Sequence, residues 1–295
     1  MSETAAVAIA GILLGSFGSP GEVLKTANPW HGFQADGPNV VSFRVQHVDG
    51  AHCAPWVSSF LADPRGVRLG GPPGWKDAWK TWEPWNDDDL DAVKDCKSFP
   101  CDVKVNEKEA SEMKSTPKEA RLQRWEALVA ARAERYLKTD ERKEYEFPGD
   151  PVDPWEYLSK LGLHSSAARP AKADLWIRKY NLDPKKMKTL HQVLDRRTAR
   201  NASGTEAALW VRDAYTDHYF DGWGEWASVI CDPQGAQNRG VTLVQSVFLE
   251  VDLLKKTDLF SKIGRGKLKG ALEEKGARYL DVAFERIRDG AISTP

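Results

Sequence analysis

The sequence lacks the features that mark several large classes of protein. Its formal net charge is only −1 over 295 residues, so no overall field attracts nucleic acid or an anionic membrane. It has no run of the ~20 apolar residues that a helix needs to cross a bilayer. It also has no Gly-rich phosphate loop, no GxSxG elbow and no HExxH zinc motif. The composition is that of a folded protein, but no motif fixes a reaction.

Cysteine is scarce, with four residues and no CxxC pair, which argues against a zinc knuckle or a thioredoxin-type site. Cys96 and Cys101 bracket the turn-like segment KSFP. This spacing fits either a small disulfide loop in an exported protein or two reduced thiols in a cytosolic one. The even count favours disulfides, with Cys53 and Cys231 as the second pair.

The beginning of the chain is ambiguous. Residues 5–15 form an apolar run with the length of the apolar region of a signal peptide, and small residues follow it. The preceding MSET carries an acid and no Lys or Arg, whereas a signal peptide starts basic. We interpret residues 1–20 as a degenerate signal or an anchor at a membrane surface. A mis-set start and a buried helix are the alternatives.

Two regions of different composition follow. Residues 21–150 are rich in Trp and partly helical, and residues 151–295 have the pattern of an antiparallel sheet with a C-terminal helix. We expect the two to form one continuous domain. Strands followed by a long final helix are typical of an α+β fold with the helix packed on the sheet.

Periodicity and capping signals predict individual elements. A helix with an apolar stripe that includes Leu122, Trp125 and Val129 is expected over residues 117–138, opened by the capping box Thr116 to Glu119. Another helix, also with an apolar stripe, is expected over roughly 266–288. Residues 39–48 alternate as a half-buried strand, with Ser42 and Arg44 on its polar face. Further strands are predicted over 173–180, 188–197, 207–231 and 241–253, the last two joined as a hairpin.

The segment 207–231 is the most unusual part of the sequence. Acidic and aromatic residues follow one another along it at a spacing of two: Asp213, Tyr215, Asp217, Tyr219, Asp221, Trp223 and Glu225. On a strand all of them share one face, whereas on a helix the acids form one repulsive column. We therefore predict a strand with an acidic and aromatic face. The other face carries Arg212, His218, Phe220 and Trp226, and a bend is expected at Gly222 and Gly224.

This segment does not provide an evident catalytic or metal site. Asp217 and His218 point to opposite faces of a strand, so they cannot pair directly. The acids lie ~13 Å apart and do not converge on a calcium ion. We expect Arg178, Arg196 or Arg197 on neighbouring strands to pair with them. Other residues of metal-ligand type are His47, His52 and Cys53. They lack a second pair of ligands, so a structural role is favoured.

A binding surface is the better interpretation of the segment. The predicted ligand-binding residues are Arg212, Asp213, Tyr215, Asp217, His218, Tyr219, Trp223 and Trp226. No cofactor is expected.

The final third of the chain, roughly residues 173–290, resembles a family of uncharacterised exported bacterial proteins. The shared pattern is a strand with a histidine (LHQVLDRR, with His191), then a strand containing HYF (His218 to Phe220). A strand with an acidic tail, VFLEVDLL, and a basic final helix containing glycine complete it. The order of strands and helix also resembles the back half of a START-type helix-grip fold. In that fold a sheet wraps round a helix and forms a lipid-sized pocket. The family's activity is unknown, so the resemblance implies no catalytic residue.

Three functions follow as hypotheses. The first is a periplasmic or otherwise extracytoplasmic binding protein for an apolar or amphipathic, lipid-like ligand. The second is a structural or accessory subunit of an envelope complex, with an anchor or peripheral contact at the membrane. The third is a hydrolase that uses Asp and His groups near residues 213–225. A non-enzymatic role is favoured because no nucleophile, base and orienting group can be placed together.

Overall fold

An antiparallel sheet and one long helix dominate the structure. A computed structural model describes residues 29–64, 66–69, 90–91, 93, 103–140, 152–160, 169–180, 190–217, 220–232, 240–251, 254 and 262–293. The strands are β1 Trp30–Asp36, β2 Asn39–Asp49, β3 Val67–Arg68, β4 Leu175–Tyr180, β5 Leu190–Arg200, β6 Glu206–Thr216, β7 Phe220–Cys231 and β8 Gly240–Val251. The α-helices are α1 Cys53–Ala62, α2 Glu107–Ser115, α3 Arg121–Thr139, α4 Pro154–Lys160 and α5 Lys262–Ser293.

The strands form one sheet in the order β1-β2-β8-β7-β6-β5-β4-β3, with every neighbouring pair antiparallel. From β4 to β8 the chain adds each strand beside the previous one, and β8 then pairs with β2. The predicted α+β class is confirmed. The predicted hairpin of residues 241–253 with the preceding strand is confirmed as β7 and β8, where Cys231 pairs with Val241.

Helix α5 covers one face of the sheet, and we call this the helix face. The helix packs on β1, β2 and β8 and on α1. Its buried side chains include Leu280, Phe284 and Ile287, which join Leu209 and Leu243 of the sheet in one apolar cluster. The backbone of α5 comes so close to β2 that a Cβ at Gly276 would lie 2.1 Å from Ser42 Oγ. The helix is therefore seated directly on the sheet.

The prediction that β2 is half-buried is wrong. Ser42 and Arg44, on its polar face, are buried. They lie on the helix face, where α5 covers them, and the apolar residues Val41 and Phe43 are buried on the other side. Sequence alternation identified the two faces of the strand, but it could not show that a helix from the end of the chain covers the polar one.

The opposite face of the sheet is covered by α3 and α4. Trp125, Val129 and Tyr136 of α3 pack against a cluster that includes Tyr215. The predicted apolar stripe of this helix is thus confirmed, although Leu122 is only partly buried. Residues Trp155 and Leu158 of α4 pack in a second cluster on this face, with side chains of β2, β6, β7 and β8.

The predicted capping box from Thr116 to Glu119 is wrong. Thr116 ends α2, where its hydroxyl donates to the carbonyl oxygen of Glu112, and a 3₁₀ turn over Lys118–Ala120 precedes α3. The capping box lies one helix earlier instead. Asn106 accepts from the backbone N–H of Glu109, whose carboxylate accepts from the N–H of Asn106.

A disulfide joins Cys53 at the start of α1 to Cys231 at the end of β7, which confirms the predicted pair. It ties the covering helix α1 to the sheet. Cys96 and Cys101 lie outside the described residues, as does the apolar run of residues 5–15. In the part of the chain that is described, no helix combines the length and apolar character needed to span a membrane.

Candidate functional site

The acidic and aromatic segment forms two strands instead of the single strand predicted. Strand β6 ends at Thr216 and β7 begins at Phe220, and the two pair antiparallel. Asp217 follows β6. Its carboxylate accepts hydrogen bonds from the His191 backbone N–H at 2.9 Å and from His191 Nδ1 at 2.8 Å. His218 and Tyr219 lie outside the described residues. The acids before and after the turn therefore lie on neighbouring strands.

A β-bulge separates residues that simple alternation placed on one face. Leu194 pairs with Asp213 and Val193 with Tyr215, so Ala214 is an extra residue in β6. Asp213 consequently lies on the helix face, and Tyr215 packs on the opposite face. A second register shift, between Phe220 and Gly222, places Phe220 in a cluster with Leu268 and Leu272 of α5.

The predicted site residues are thus divided between the two faces. Asp213 and Trp223 lie on the helix face and are joined by a hydrogen bond of 3.0 Å from the Trp223 backbone N–H to Asp213 Oδ1. Arg212, Tyr215 and Trp226 lie on the opposite face. The structure therefore does not bring the predicted ligand-binding residues together at one surface.

The helix face carries a set of polar residues, all buried except the half-buried Arg178, that crosses the sheet from β4 to β2. We call it the polar band: Arg178, Gln192, Asp213, Thr216, Glu225, Gln245 and Arg44. Apolar clusters border it on both sides. One contains Trp56, Leu209 and Leu243, and the other contains Leu190, Phe220 and Leu272. A sheet face under a helix is ordinarily apolar, because burying polar groups costs free energy unless they are hydrogen-bonded.

The part of the band on β4, β5 and β6 is connected by hydrogen bonds. Arg178 donates to Gln192 Oε1, with 3.1 Å from Nε, and Gln192 Nε2 donates to Thr216 Oγ1 at 3.1 Å. The Thr216 hydroxyl donates in turn to Asp213 Oδ2 at 2.9 Å. Each side chain is therefore fixed in orientation by the next.

Helix α5 supplies Tyr279 as a bridge over the middle of the band. Its hydroxyl lies 3.0 Å from Glu225 Oε2 and 3.2 Å from Arg178 Nη1. The Arg178 guanidinium also stacks 4.3 Å above the centroid of Trp223. Of the three arginines expected near the acids, Arg178 and Arg196 lie on the same face as Asp213, whereas Arg197 lies on the opposite face. A lysine that was not predicted, Lys104, forms a salt bridge with Asp221 at 2.5 Å.

The other end of the band reaches β8 and β2. Arg44 lies directly opposite Gln245 in the sheet, and its Nε donates to Asp281 of α5 at 2.9 Å. The same carboxylate oxygen lies 2.8 Å from His31 Nε2. Burial lowers the pKa of Arg44, and Asp281 offsets part of that effect. Gln245 has no exposed surface.

The opposite face contains a different arrangement, which we call the ionic network: Tyr136, Asp140, Asp153, Asp195, Arg197 and Arg212. Tyr136 donates to Asp195 at 2.7 Å and accepts from Arg212 Nε at 2.6 Å. Arg197 Nη2 binds Asp195 at 2.6 Å. Burial, with the charge of Asp195, raises the pKa of Tyr136 well above its usual range. The donors, acceptors and charges of these groups pair with one another, as is typical of a buried network that stabilises the fold.

The side chains that could bind a metal ion are dispersed over the described residues. No three His, Cys, Asp or Glu side chains there are placed to share an ion. Of the candidate zinc ligands, Cys53 is oxidised in its disulfide. His47 instead lies 3.0 Å from Thr242 Oγ1 and 3.1 Å from Asp49.

Sequence reasoning missed Arg44, Gln245 and Tyr279 as members of the site. A signal for Gln245 was present, because it interrupts the apolar alternation of Leu243 and Val247 on β8. Arg44 had no such signal, since a charged residue on a half-exposed strand is ordinary. Comparison with known proteins adds no family to this picture: no protein-family model matches the chain, and no curated protein is similar to it in sequence.

Proposed function

We propose that the chain is an extracytoplasmic binding protein for an apolar or amphipathic, lipid-like ligand. The polar end of the ligand binds at the polar band, between the sheet and α5. The observation that carries this proposal is the band itself, a set of buried polar side chains placed between two apolar clusters on one sheet face.

The composition of the helix face suits an amphipathic molecule. Binding sites for small molecules are lined mainly by apolar side chains, with a few polar groups that fix the ligand's orientation. The band supplies such groups at Arg178, Glu225 and Tyr279, which are already oriented by hydrogen bonds. Pre-oriented groups lose little conformational entropy when a ligand binds.

The apolar part of the ligand lies along the cluster at the N-terminal half of α5. Leu268 and Leu272 of that half are only partly buried where they pack against Leu190 and Phe220. Leu280 and Ile287 in the other half are fully enclosed, which leaves no surface for a ligand to cover. The ligand therefore extends from the band toward the beginning of the helix.

Two further features support the proposal. An antiparallel sheet with a long C-terminal helix across one face is compatible with the helix-grip fold, in which a sheet wraps round a helix. The Cys53–Cys231 disulfide favours an oxidising compartment, because structural disulfides persist mainly outside the cytosol.

Binding of the neutral fluorescent probe N-phenyl-1-naphthylamine tests the proposal. We expect saturable binding to the wild-type protein and about tenfold weaker binding to Leu272→Gln, which places an amide on the apolar side. The matched control is Val282→Gln on the same helix, where the side chain is 44% exposed and affinity should not change. Native mass spectrometry should also find a co-purified lipid. Absence of both the lipid and probe binding would reject the function.

A further inference from the structure

Gln245 is a buried amide with no hydrogen bond to either of its polar atoms. Neither its Nε2 nor its Oε1 has a hydrogen-bond partner among the residues that the structure describes, and the residue is 0% exposed. Arg44 Nη1 also lacks a partner, although Nε and Nη2 of the same side chain are bound to Asp281 and Gln46. Leaving a buried polar group unpartnered costs free energy, and most buried polar groups in proteins are hydrogen-bonded, so three such atoms together require an explanation.

The three unpartnered atoms belong to neighbouring residues that face the same way. Arg44 and Gln245 are directly opposite in the β2–β8 register, where side chains lie ~5 Å apart at Cβ. Gln245 lies between Leu243 and Val247 on the helix face, and the Arg44 guanidinium is 3.8 Å from the ring centroid of Phe284 on α5. The three atoms are therefore held under the helix, with Ala227 directly opposite Gln245 in the β7–β8 pair and Glu225 two residues away along β7.

The hydrogen-bonding capacity of these atoms specifies a partner. Arg44 Nη1 and Gln245 Nε2 are donors that need an acceptor, while Gln245 Oε1 needs a donor. A hydroxyl group can bind all three atoms, because its oxygen accepts two hydrogen bonds and its proton donates one. A carboxylate or an ether has no proton for Oε1. A second anion is also not required, since Asp281 already balances the charge of Arg44.

We propose that Arg44 and Gln245 form a subsite for the hydroxyl group of an amphipathic ligand, such as a long-chain alcohol. The inference rests on the proposed function and narrows its ligand class. Recognition by a buried amide also gives selectivity, because an analogue that cannot complete the hydrogen bonds leaves polar groups of the protein unpaired.

Two probes test the subsite, and they differ only in that the terminal oxygen carries a proton in one and a methyl group in the other. 1-Dodecanol and 1-methoxydodecane are titrated against the wild-type protein loaded with N-phenyl-1-naphthylamine, and displacement is measured. We expect the alcohol to bind at least about tenfold more tightly than the ether. Equal affinities would mean that only water occupies the subsite, and the inference would be overturned while the binding function stood. Failure of the fluorescent probe to bind would overturn both.

A variant links the selectivity to the amide. Gln245→Met keeps the side-chain length and removes both polar atoms, so we expect it to lower the affinity for 1-dodecanol to that for the ether. Affinity for the ether should stay within about twofold. The control is Gln34→Met on β1, an exposed position where the preference for the alcohol should persist. Equal loss for both probes in Gln245→Met would contradict a hydroxyl-specific contact.

Discussion

The two faces of the sheet bury polar side chains in different ways. In the ionic network of the opposite face, Tyr136, Asp195, Arg197 and Arg212 bind one another by reciprocal hydrogen bonds. In the polar band of the helix face, the bonds run from Arg178 to Asp213, but Gln245 and one nitrogen of Arg44 have no protein partner. The hydrogen bonds of the first arrangement are made within the network, whereas the second leaves three buried polar atoms that the proposed ligand would satisfy.

This difference separates a stabilising role from a binding role. A fully satisfied network fixes the packing of α3 and α4 against the sheet. Removing one member leaves its buried partners without hydrogen bonds or a counter-charge, which lowers stability. An unsatisfied amide lowers stability in the free protein and is retained where a ligand uses it. Removing a member of the ionic network should therefore lower stability, whereas removing the unpartnered groups of the polar band should raise the stability of the free protein and weaken binding.

The largest expected effect is on the ionic network. Arg197→Met leaves the fully buried Asp195 without its main cationic partner, so the free energy of unfolding should fall by about 3–5 kcal/mol. Urea denaturation measures this change. Arg200→Met, at an exposed position of the same strand, should change stability by no more than about 0.5 kcal/mol. If Arg197→Met instead abolished probe binding at unchanged stability, the roles assigned to the two faces would be reversed.

A smaller effect is expected at Tyr136, and it depends on pH. The pKa of this phenol is raised in the folded protein by burial and then by Asp195. Its contribution to stability is therefore fully present below its unfolded pKa of about 10 and is lost as the pH rises through the folded value. Tyr136→Phe should lower stability by about 1–2 kcal/mol at pH 8. Denaturation at pH 8 and pH 11 should show the difference from wild type narrowing, and a constant difference would contradict the assigned cause.

The smallest effect is expected in the polar band and has the opposite sign. Gln245→Met removes two unpartnered buried atoms, so the ligand-free protein should gain about 1 kcal/mol in unfolding free energy. Gln192→Met is the matched comparison, because Gln192 is equally buried but hydrogen-bonded to Arg178 and Thr216. It should lose stability by a similar amount. Thermal melts of the two ligand-free variants measure both changes, and a loss of stability in both would contradict a stability cost for the unpartnered amide of Gln245.

Much of the fold could be predicted from local sequence pattern. The alternation of β8, the apolar stripes of α3 and α5 and the hairpin before Gly240 depend on residues close in sequence, where period and turn chemistry are informative. Strand β1 was missed because the Gly-containing segment around residues 30–36 has a loop-like composition. Its strand conformation comes from pairing with β2.

The site could be predicted only in part. Asp213 and Trp223 were predicted to share a face, and both lie on the helix face. The alternation that also placed Tyr215 on that face failed at Ala214, where the bulge adds a residue. The partners of the acids come from distant parts of the chain, such as Lys104 and Tyr279. No local pattern encodes those contacts, because they depend on which elements the fold places over each sheet face.

The disulfide gives the chain the covalent layout of a closed ring with two tails. Cys53 and Cys231 are 178 positions apart, so the ring contains helices α1 to α4 and strands β3 to β7. A single cut by a protease within the ring leaves both pieces in one molecule until a reductant is added. Strand β8 and α5 lie in the C-terminal tail, beyond Cys231. The ring can therefore close during synthesis before the helix that covers the polar band has been made.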